Sequence, residues 1–306
     1  MKIIVAGIGG VGGYFGGLLA KKFHNHPSIK INFFARGNHL KSIQKNGLTI
    51  LNKQTSFIAK PNLATDNASE IGKADLIILC TKSFDLEQII GQLIPCIDNN
   101  TLILPLLNGV DNKDRIKKLL PQNLVLDACV YIVSRLKNDG IVENIGNIQS
   151  LYFGIDNYTN DHLLLLEKLF REANIEATLS QNISSLIWEK FIFLSPIATI
   201  TSYYDRCIGE ILANKQSLAD LMILIDEVRL IALKKNIKIS EHIVEKTLLK
   251  LKNLPFEATS SMHTDFRNKK PNTEIESLTN FVILEGEKLQ ISTPMFVKMY
   301  QNLKLK

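Results

Sequence analysis

Short apolar runs alternate with amphipathic stretches through the first half of the chain, and the alternation stops near residue 180. Residues 3–8 form an apolar run that breaks into glycines, and 12–23 carry helical spacing. Residues 31–35 make a second apolar run, and 57–59 a weak strand candidate. Residues 76–81 are continuously apolar, as in a strand buried on both faces. A helix over 86–93, a strand over 102–106, a helix over 113–119 and a strand over 124–133 follow. Residues 141–144 and 149–154 read as a closing antiparallel pair. Strands alternating with helices predict a doubly wound parallel sheet. After a helix over 162–173 and a short strand over 176–179, the polar Ser180-Gln181-Asn182 marks a boundary. Only helical patterns lie beyond it, over 184–204, 216–236, 241–253, 274–290 and 294–303, the last opened by Thr293-Pro294. The expected fold is α/β, with an N-terminal Rossmann-type sheet over 1–180 and an all-α C-terminal domain over 181–306.

Composition narrows the function classes. A chain of 306 residues, 45% hydrophobic and 22% charged, suits two ordinary globular domains. No apolar run reads as long enough to span a bilayer. The opening Met1-Lys2-Ile3-Ile4-Val5-Ala6-Gly7 reads as a first strand rather than a leader, and a cytoplasmic protein is expected. The spacings of Cys80, Cys96, Cys129 and Cys207 match no zinc or redox pattern, and the six histidines form no His-Glu-x-x-His set, so no metal is expected. The net charge of +6 is spread among acids, as in Asp114-Arg115-Ile116-Lys117-Lys118. Without a basic stripe interleaved with aromatics, no nucleic-acid partner is expected, although the surface favours anionic ligands.

The first chemical signal is Gly7-Ile8-Gly9-Gly10-Val11-Gly12. This G-x-G-x-x-G follows a predicted strand and opens a predicted helix, the context a dinucleotide site requires. Gly7 permits the tight turn, Gly9 lets a pyrophosphate approach, and Gly12 lets the helix pack on its strand. At the end of the second strand, where an NAD site usually carries an acid, stands Arg36. A guanidinium fork suits a 2′-phosphate, so NADP is expected over NAD. Lys82 and Asn108 follow two further strands at their ligand-facing ends. Each is placed either to touch cofactor or substrate or to cap the next helix or turn.

In the second half, Lys190 lies on an apolar helix, where it either snorkels to solvent or serves as a general acid. Helical spacing sets Lys190, Leu194, Ala198 and Thr201 on one stripe. The stretch Thr259-Ser260-Ser261-Met262-His263 is read as lying between helices. Thr273-Glu274 starts a helix, with an N-cap hydroxyl and a first-turn acid as the plain alternative.

Taken together, these motifs resemble the ketopantoate reductase (2-dehydropantoate 2-reductase) family along nearly the whole chain. The resemblance rests on the N-terminal glycines, Arg36, Thr81-Lys82, Asn108-Gly109, Gly140 before Gly146, Trp188-x-Lys190, Gly209-Glu210, Ser260-Ser261-Met262 and Thr273-Glu274-Ile275-Glu276. It implies NADPH-dependent reduction of a 2-oxo acid to a 2-hydroxy acid on the way to pantothenate and coenzyme A. It implies that Lys190 protonates the developing alkoxide, and that Glu274 orients substrate and lysine. Ser261 would hold the substrate carboxylate, Asn108 would lie near nicotinamide and substrate, and Lys82 near the cofactor. The active site is expected in the cleft between the domains. The implied partners are a small 2-oxo acid and, as an open option, a second copy of the chain, with no membrane.

Two departures bear on the substrate. The family carries asparagines one and two turns after its catalytic lysine; here those places hold Leu194 and Ala198. Thr201, with Ser195, is the candidate replacement for substrate binding. The segment from Ser261 to Glu274 is also one residue longer than the usual pattern. A reductase of a less polar 2-oxo acid, a β-hydroxyacid dehydrogenase and a non-catalytic NADP-binding sensor are the alternatives. The Ser261-Met262 and Thr273-Glu274 pairs argue against the dehydrogenase, and retention of Lys190 with Glu274 argues against the sensor.

Overall fold

Five parallel strands at the start of the chain carry the framework of the computed structural model, which describes residues 1–52 and 56–305. The elements run β1 (Lys2–Ala6), α1 (Gly10–Phe23), β2 (Lys30–Phe34), α2 (Gly37–Asn46), β3 (Leu48–Asn52), β4 (Ser56–Ala59), β5 (Leu63–Thr65) and β6 (Leu76–Leu79). They continue with α3 (Leu86–Leu93), β7 (Leu102–Pro105), α4 (Asn112–Leu119), β8 (Asp127–Asn138), β9 (Ile141–Gly154), α5 (Asp161–Glu172) and β10 (Glu176–Ser180). The first sheet has the order β5-β2-β1-β6-β7, with every pairing parallel. Alternation along the strands sends Ile3, Val5, Leu76 and Ile78 into one core layer and Ile4, Ala6, Ile77 and Leu79 into another. Strand order reverses between β1 and β6, the point where open sheets of this kind bind ligands beyond their carboxyl ends.

Contacts divide the chain into two compact units. The first comprises Met1–Leu107 and Asp111–Ile183; the second comprises Asn108–Val110 and Ser184–Lys306. The second unit is helical: most of α6 (Ile183–Tyr204), then α7 (Ile208–Ala213), α8 (Lys215–Lys234), α9 (Ile243–Lys252), α10 (Ser261–Arg267), α11 (Phe281–Leu289) and α12 (Pro294–Leu303). Its core gathers Trp188, Phe191, Leu221, Val228, Met262 and Phe296. The expected fold class, a Rossmann-type sheet followed by an all-α domain, is therefore observed.

Several local expectations are corrected. Residues 141–144 and 149–154 are not a pair but two parts of one long strand, β9, whose antiparallel partner is β8. Gly146 sits within β9, where a Cβ would lie 3.2 Å from the Cβ of Val133. Strand β3 and helices α2 and α7 were not anticipated. The stretch after Thr259 is helical, as α10, rather than a connector. Length and composition also make α6 apolar enough to cross a membrane, contrary to the reading of the sequence. Yet 56% of that stretch is buried within the fold, as in a core helix.

Candidate active site

The glycine turn in the first unit is shaped by what its glycines touch. Gly7 adopts φ +89°, and a Cβ there would lie 2.9 Å from the Cys80 carbonyl carbon and the Thr81 nitrogen. A Cβ on Gly12 would lie 2.2 Å from the Gly7 oxygen, and one on Gly10 would lie 2.3 Å from the Ser134 oxygen. These three positions are closed to side chains by the fold itself. Gly9 differs: nothing lies within 4 Å of its Cβ position. It is the N-cap of α1, offers no capping side chain, and the first turn holds no acid. The helix thus presents amide N–H groups and the positive end of its dipole beside open space, a setting suited to an anion. The Ile8 side chain is buried beneath the turn and Val11 packs partly against the same core. The Cys80 thiol behind the turn is pushed far up by burial and stays protonated.

Arg36 lies two residues past the end of β2 and is the N-cap position of α2, with no capping bond from its side chain. Its side chain is 77% exposed and lies 3.6 Å from the Asp85 carboxylate. An ion pair that open and that long contributes little and is readily exchanged for a phosphate. Asp85 belongs to a short 3-10 turn, Ser83–Asp85, that starts directly after the half-buried Lys82.

His39 in α2 was not anticipated as part of this site, since one histidine in a weakly patterned helix gives no signal. Its Nε2 lies 2.7 Å from the Ile8 oxygen, and its Nδ1 accepts the Gly140 N–H at 2.9 Å. An amide N–H can only donate, so Nδ1 is the bare nitrogen and Nε2–H donates to Ile8. Burial holds the imidazole pKa below its ordinary value, opposed by the Ile8 bond and by Asp139.

In the second unit, the structure brings Lys190 and Asn108 together: Lys190 Nζ donates to Asn108 Oδ1 at 3.0 Å. The two residues are 82 positions apart in sequence. Lys190 is half-buried, in the α6 turn after Trp188, whose ring packs edge-on against Phe191. Glu274 is only 3% exposed. It precedes a π-helical turn, Glu276–Asn280, in which the Phe281 N–H reaches the Glu276 oxygen. Such widened turns recur at functional sites. Two buried hydroxyls of α6 grip this turn: Ser195 Oγ donates to the Leu278 oxygen at 2.6 Å, and Thr199 pairs with Thr279 at 2.8 Å. The helix carrying Lys190 and the chain leading from Glu274 are thereby held in register.

Ser261 is exposed at the first position of α10, while the preceding Ser260 is its N-cap and accepts the His263 N–H at 3.0 Å. Thr201 is corrected here. It is fully buried, and its hydroxyl donates to the Ile197 oxygen at 2.7 Å. Its remaining contact, 3.1 Å to Ser260 Oγ, therefore has Ser260 as donor. Thr201 is a strut beneath Ser260 rather than a group presented to a ligand. Ser195 is likewise bonded to Leu278, so both hydroxyls are engaged within the fold. His263, also unanticipated, is buried and joins Asp205 through Nε2 at 2.7 Å, with Thr259 at its other nitrogen. Leu194 is half-buried and Ala198 fully buried.

Residues 3–157 match the sequence model described as ketopantoate reductase PanE/ApbA, and residues 182–306 match that of its C-terminal part. The crystal structure of 2-dehydropantoate 2-reductase from Porphyromonas gingivalis W83 is 33% identical and covers 99% of both chains, with a TM-score of 0.87. The uncharacterized oxidoreductase YkpB of Bacillus subtilis strain 168 is 28% identical over all of this chain and 98% of its own. D-mandelate dehydrogenase, solved with NADH and anilino(oxo)acetate, shares the fold at 21% identity and a TM-score of 0.86, over 100% of this chain and 98% of its own.

Proposed function

As this chain belongs to the ketopantoate reductase family of oxidoreductases, we propose that it reduces 2-dehydropantoate to pantoate with NADPH, in a cytoplasmic route to pantothenate and coenzyme A. The observation that carries this reading is the 3.0 Å bond from Lys190 to Asn108, which aims the ammonium of a half-buried lysine. The first unit fits a dinucleotide: the space at Gly9 admits a pyrophosphate, and the exposed Arg36 suits a 2′-phosphate. A bound nicotinamide dinucleotide supplies the hydride.

The chain's own residues do the rest. Ser261, exposed at the start of α10, takes the substrate carboxylate, with Thr201 and Ser260 bracing the segment behind it. Lys190 gives a proton to the carbonyl oxygen as hydride reaches the carbonyl carbon, so the 2-oxo group becomes a 2-hydroxyl and the amine is reprotonated from water. Asn108, as acceptor, fixes the ammonium's direction, which matters because a misdirected acid gives no rate advantage. The buried Glu274 orients substrate and lysine.

The apolar Leu194 and Ala198 support a second reading, a reductase of a less polar 2-oxo acid. NADPH oxidation measured against a panel of 2-oxo acids tests both. Turnover of 2-dehydropantoate above all others supports the first, preference for a hydroxyl-free acid supports the second, and turnover of none refutes the enzyme assignment.

A further inference from the structure

We propose that His39 is a positioning residue that sets the separation of the two phosphate-binding elements, the glycine turn and Arg36. The inference rests on the dinucleotide reading above. Arg36 is the N-cap of α2 and His39 is the third residue inside that helix. Between them Gly37 takes φ +67°, a bend that swings the chain from β2 into the helix. The His39 ring then reaches back to the carbonyl of Ile8, the residue between the first two glycines of the turn. Its other nitrogen is held by Gly140 in the turn between β8 and β9. Gly140 itself has φ +76°, and a Cβ there would lie 2.3 Å from Ser42 Oγ on the same helix. Ser42 donates to the Asp139 oxygen at 3.2 Å. Residues 39 and 42 share one helix face, so α2 is clamped to that turn at two points and to the glycine turn at one.

The ligand is a chelating one. Its pyrophosphate and 2′-phosphate are joined covalently, so the two subsites act together only at the right spacing. A flat ring bonded at both nitrogens is a stiff spacer. Loosening it leaves each subsite intact and spoils their separation. The loss therefore falls on NADP, which uses both subsites, and spares NAD, which lacks the 2′-phosphate.

Two substitutions divide the ring's bonds. Gln reaches the Nε2 position and keeps a donor for Ile8; Asn reaches the Nδ1 position and keeps only an acceptor for Gly140. Calorimetric titration with NADP⁺ and NAD⁺ is the measurement, on proteins with wild-type melting behaviour. His39→Asn is expected to weaken NADP⁺ binding about tenfold or more, the scale of a charge-assisted contact, with NAD⁺ nearly unchanged. His39→Gln is expected to stay within about threefold of wild type for both, because it retains that donor. An unchanged NADP⁺/NAD⁺ ratio in His39→Asn, or equal losses for both nucleotides, overturns the proposal. If His39→Asn does not fold, histidine-ring NMR of the wild type decides. A His39 Nε2 signal that moves further with NADP⁺ than with NAD⁺ supports the role, and equal shifts, or none, overturn it. The wild-type titration separates the two levels. A protein that binds neither nucleotide, or both equally, removes the NADP reading and this inference with it. A clear wild-type preference combined with an unmoved variant ratio removes only the inference.

Discussion

The two units build their functional surfaces by different means. In the first, backbone does most of the shaping: Gly7, Gly10 and Gly12 are glycines because a Cβ would strike the backbone or Cys80. In the second, side chains do it: hydroxyls of Ser195, Thr199 and Thr201, all fully buried, tie α6 to the π turn and to α10. A site made from backbone tolerates few residue types but leaves a spacing that can be read directly. A site made from buried hydroxyls depends on which helices meet, and helical periodicity does not encode the partner.

The sharpest break between the two lies at Lys190. An ammonium that stabilises charge only as hydride arrives acts on the transition state, not on the bound nucleotide. Lys190→Ala is therefore expected to lower kcat by about 10²–10⁴ while leaving NADP⁺ affinity close to wild type. Steady-state rates and nucleotide titration on the same preparation check it. Normal turnover on the best substrate would rule out the role.

Within the first unit, two glycines separate fold from ligand. Gly12→Ala drives a Cβ to 2.2 Å from the Gly7 oxygen. It is expected to destabilise that unit by about 1–3 kcal/mol or more, as overpacking does, and to lower the denaturation midpoint. Gly9→Ala meets nothing within 4 Å and has extended backbone at φ −83°. It is expected to leave the midpoint unmoved while the methyl group intrudes where the pyrophosphate lies, weakening NADP⁺ by more than about tenfold. Equal destabilisation by both substitutions would remove the distinction.

This contrast explains what was legible in advance. The glycine turn, Arg36 just past β2 and the change to an all-helical second half were readable because each depends on local residue type and spacing. The pairing of Lys190 with Asn108 was not, because it closes a gap of 82 residues. His39 was missed because a single histidine gives no local signal and its partner Gly140 is 101 residues away. Strand β9 was split in two because its apolar pattern lapses between residues 144 and 149, and its continuity rests on pairing with β8. Thr201 shares a helical stripe with Lys190, and spacing alone does not say which part of a stripe faces ligand. Ala198 and Thr201 are both fully buried, so in its lower part the stripe faces protein.

A smaller effect is expected at Arg36. Its guanidinium is exposed and only loosely paired with Asp85, so Arg36→Ala costs the fold little. Loss of contacts to a charged phosphate, worth about 1.5–3 kcal/mol, should weaken NADP⁺ by roughly ten- to a hundredfold and leave NAD⁺ unaffected. Unchanged NADP⁺ affinity in this variant would sink the assignment of the 2′-phosphate to this residue.

The smallest effect is expected at Thr201, and it bears on the substrate. Val has nearly the same shape, so Thr201→Val removes one hydroxyl and leaves Ser260 without its acceptor at 3.1 Å. Leaving that buried group unpaired costs about 1–3 kcal/mol of stability. Because Thr201 contacts Ile197 and Ser260 rather than open space, the loss should reach any 2-oxo acid equally, through the brace behind Ser261. Measured kcat/KM for 2-dehydropantoate and for 2-oxo-3,3-dimethylbutanoate, which lacks the terminal hydroxyl, should then fall by one common factor below about tenfold. A selective loss for 2-dehydropantoate would mean that Thr201 reaches the substrate hydroxyl after all. The ratio of the two acids in the unsubstituted protein answers a separate question. If the hydroxyl-free acid is strongly preferred, the half-buried Leu194 lines an apolar pocket, and Leu194→Asn should move the ratio back toward 2-dehydropantoate. If 2-dehydropantoate is already preferred, its hydroxyl is met by some group other than the two asparagines this chain lacks. Leu194→Asn should then leave the ratio where it was.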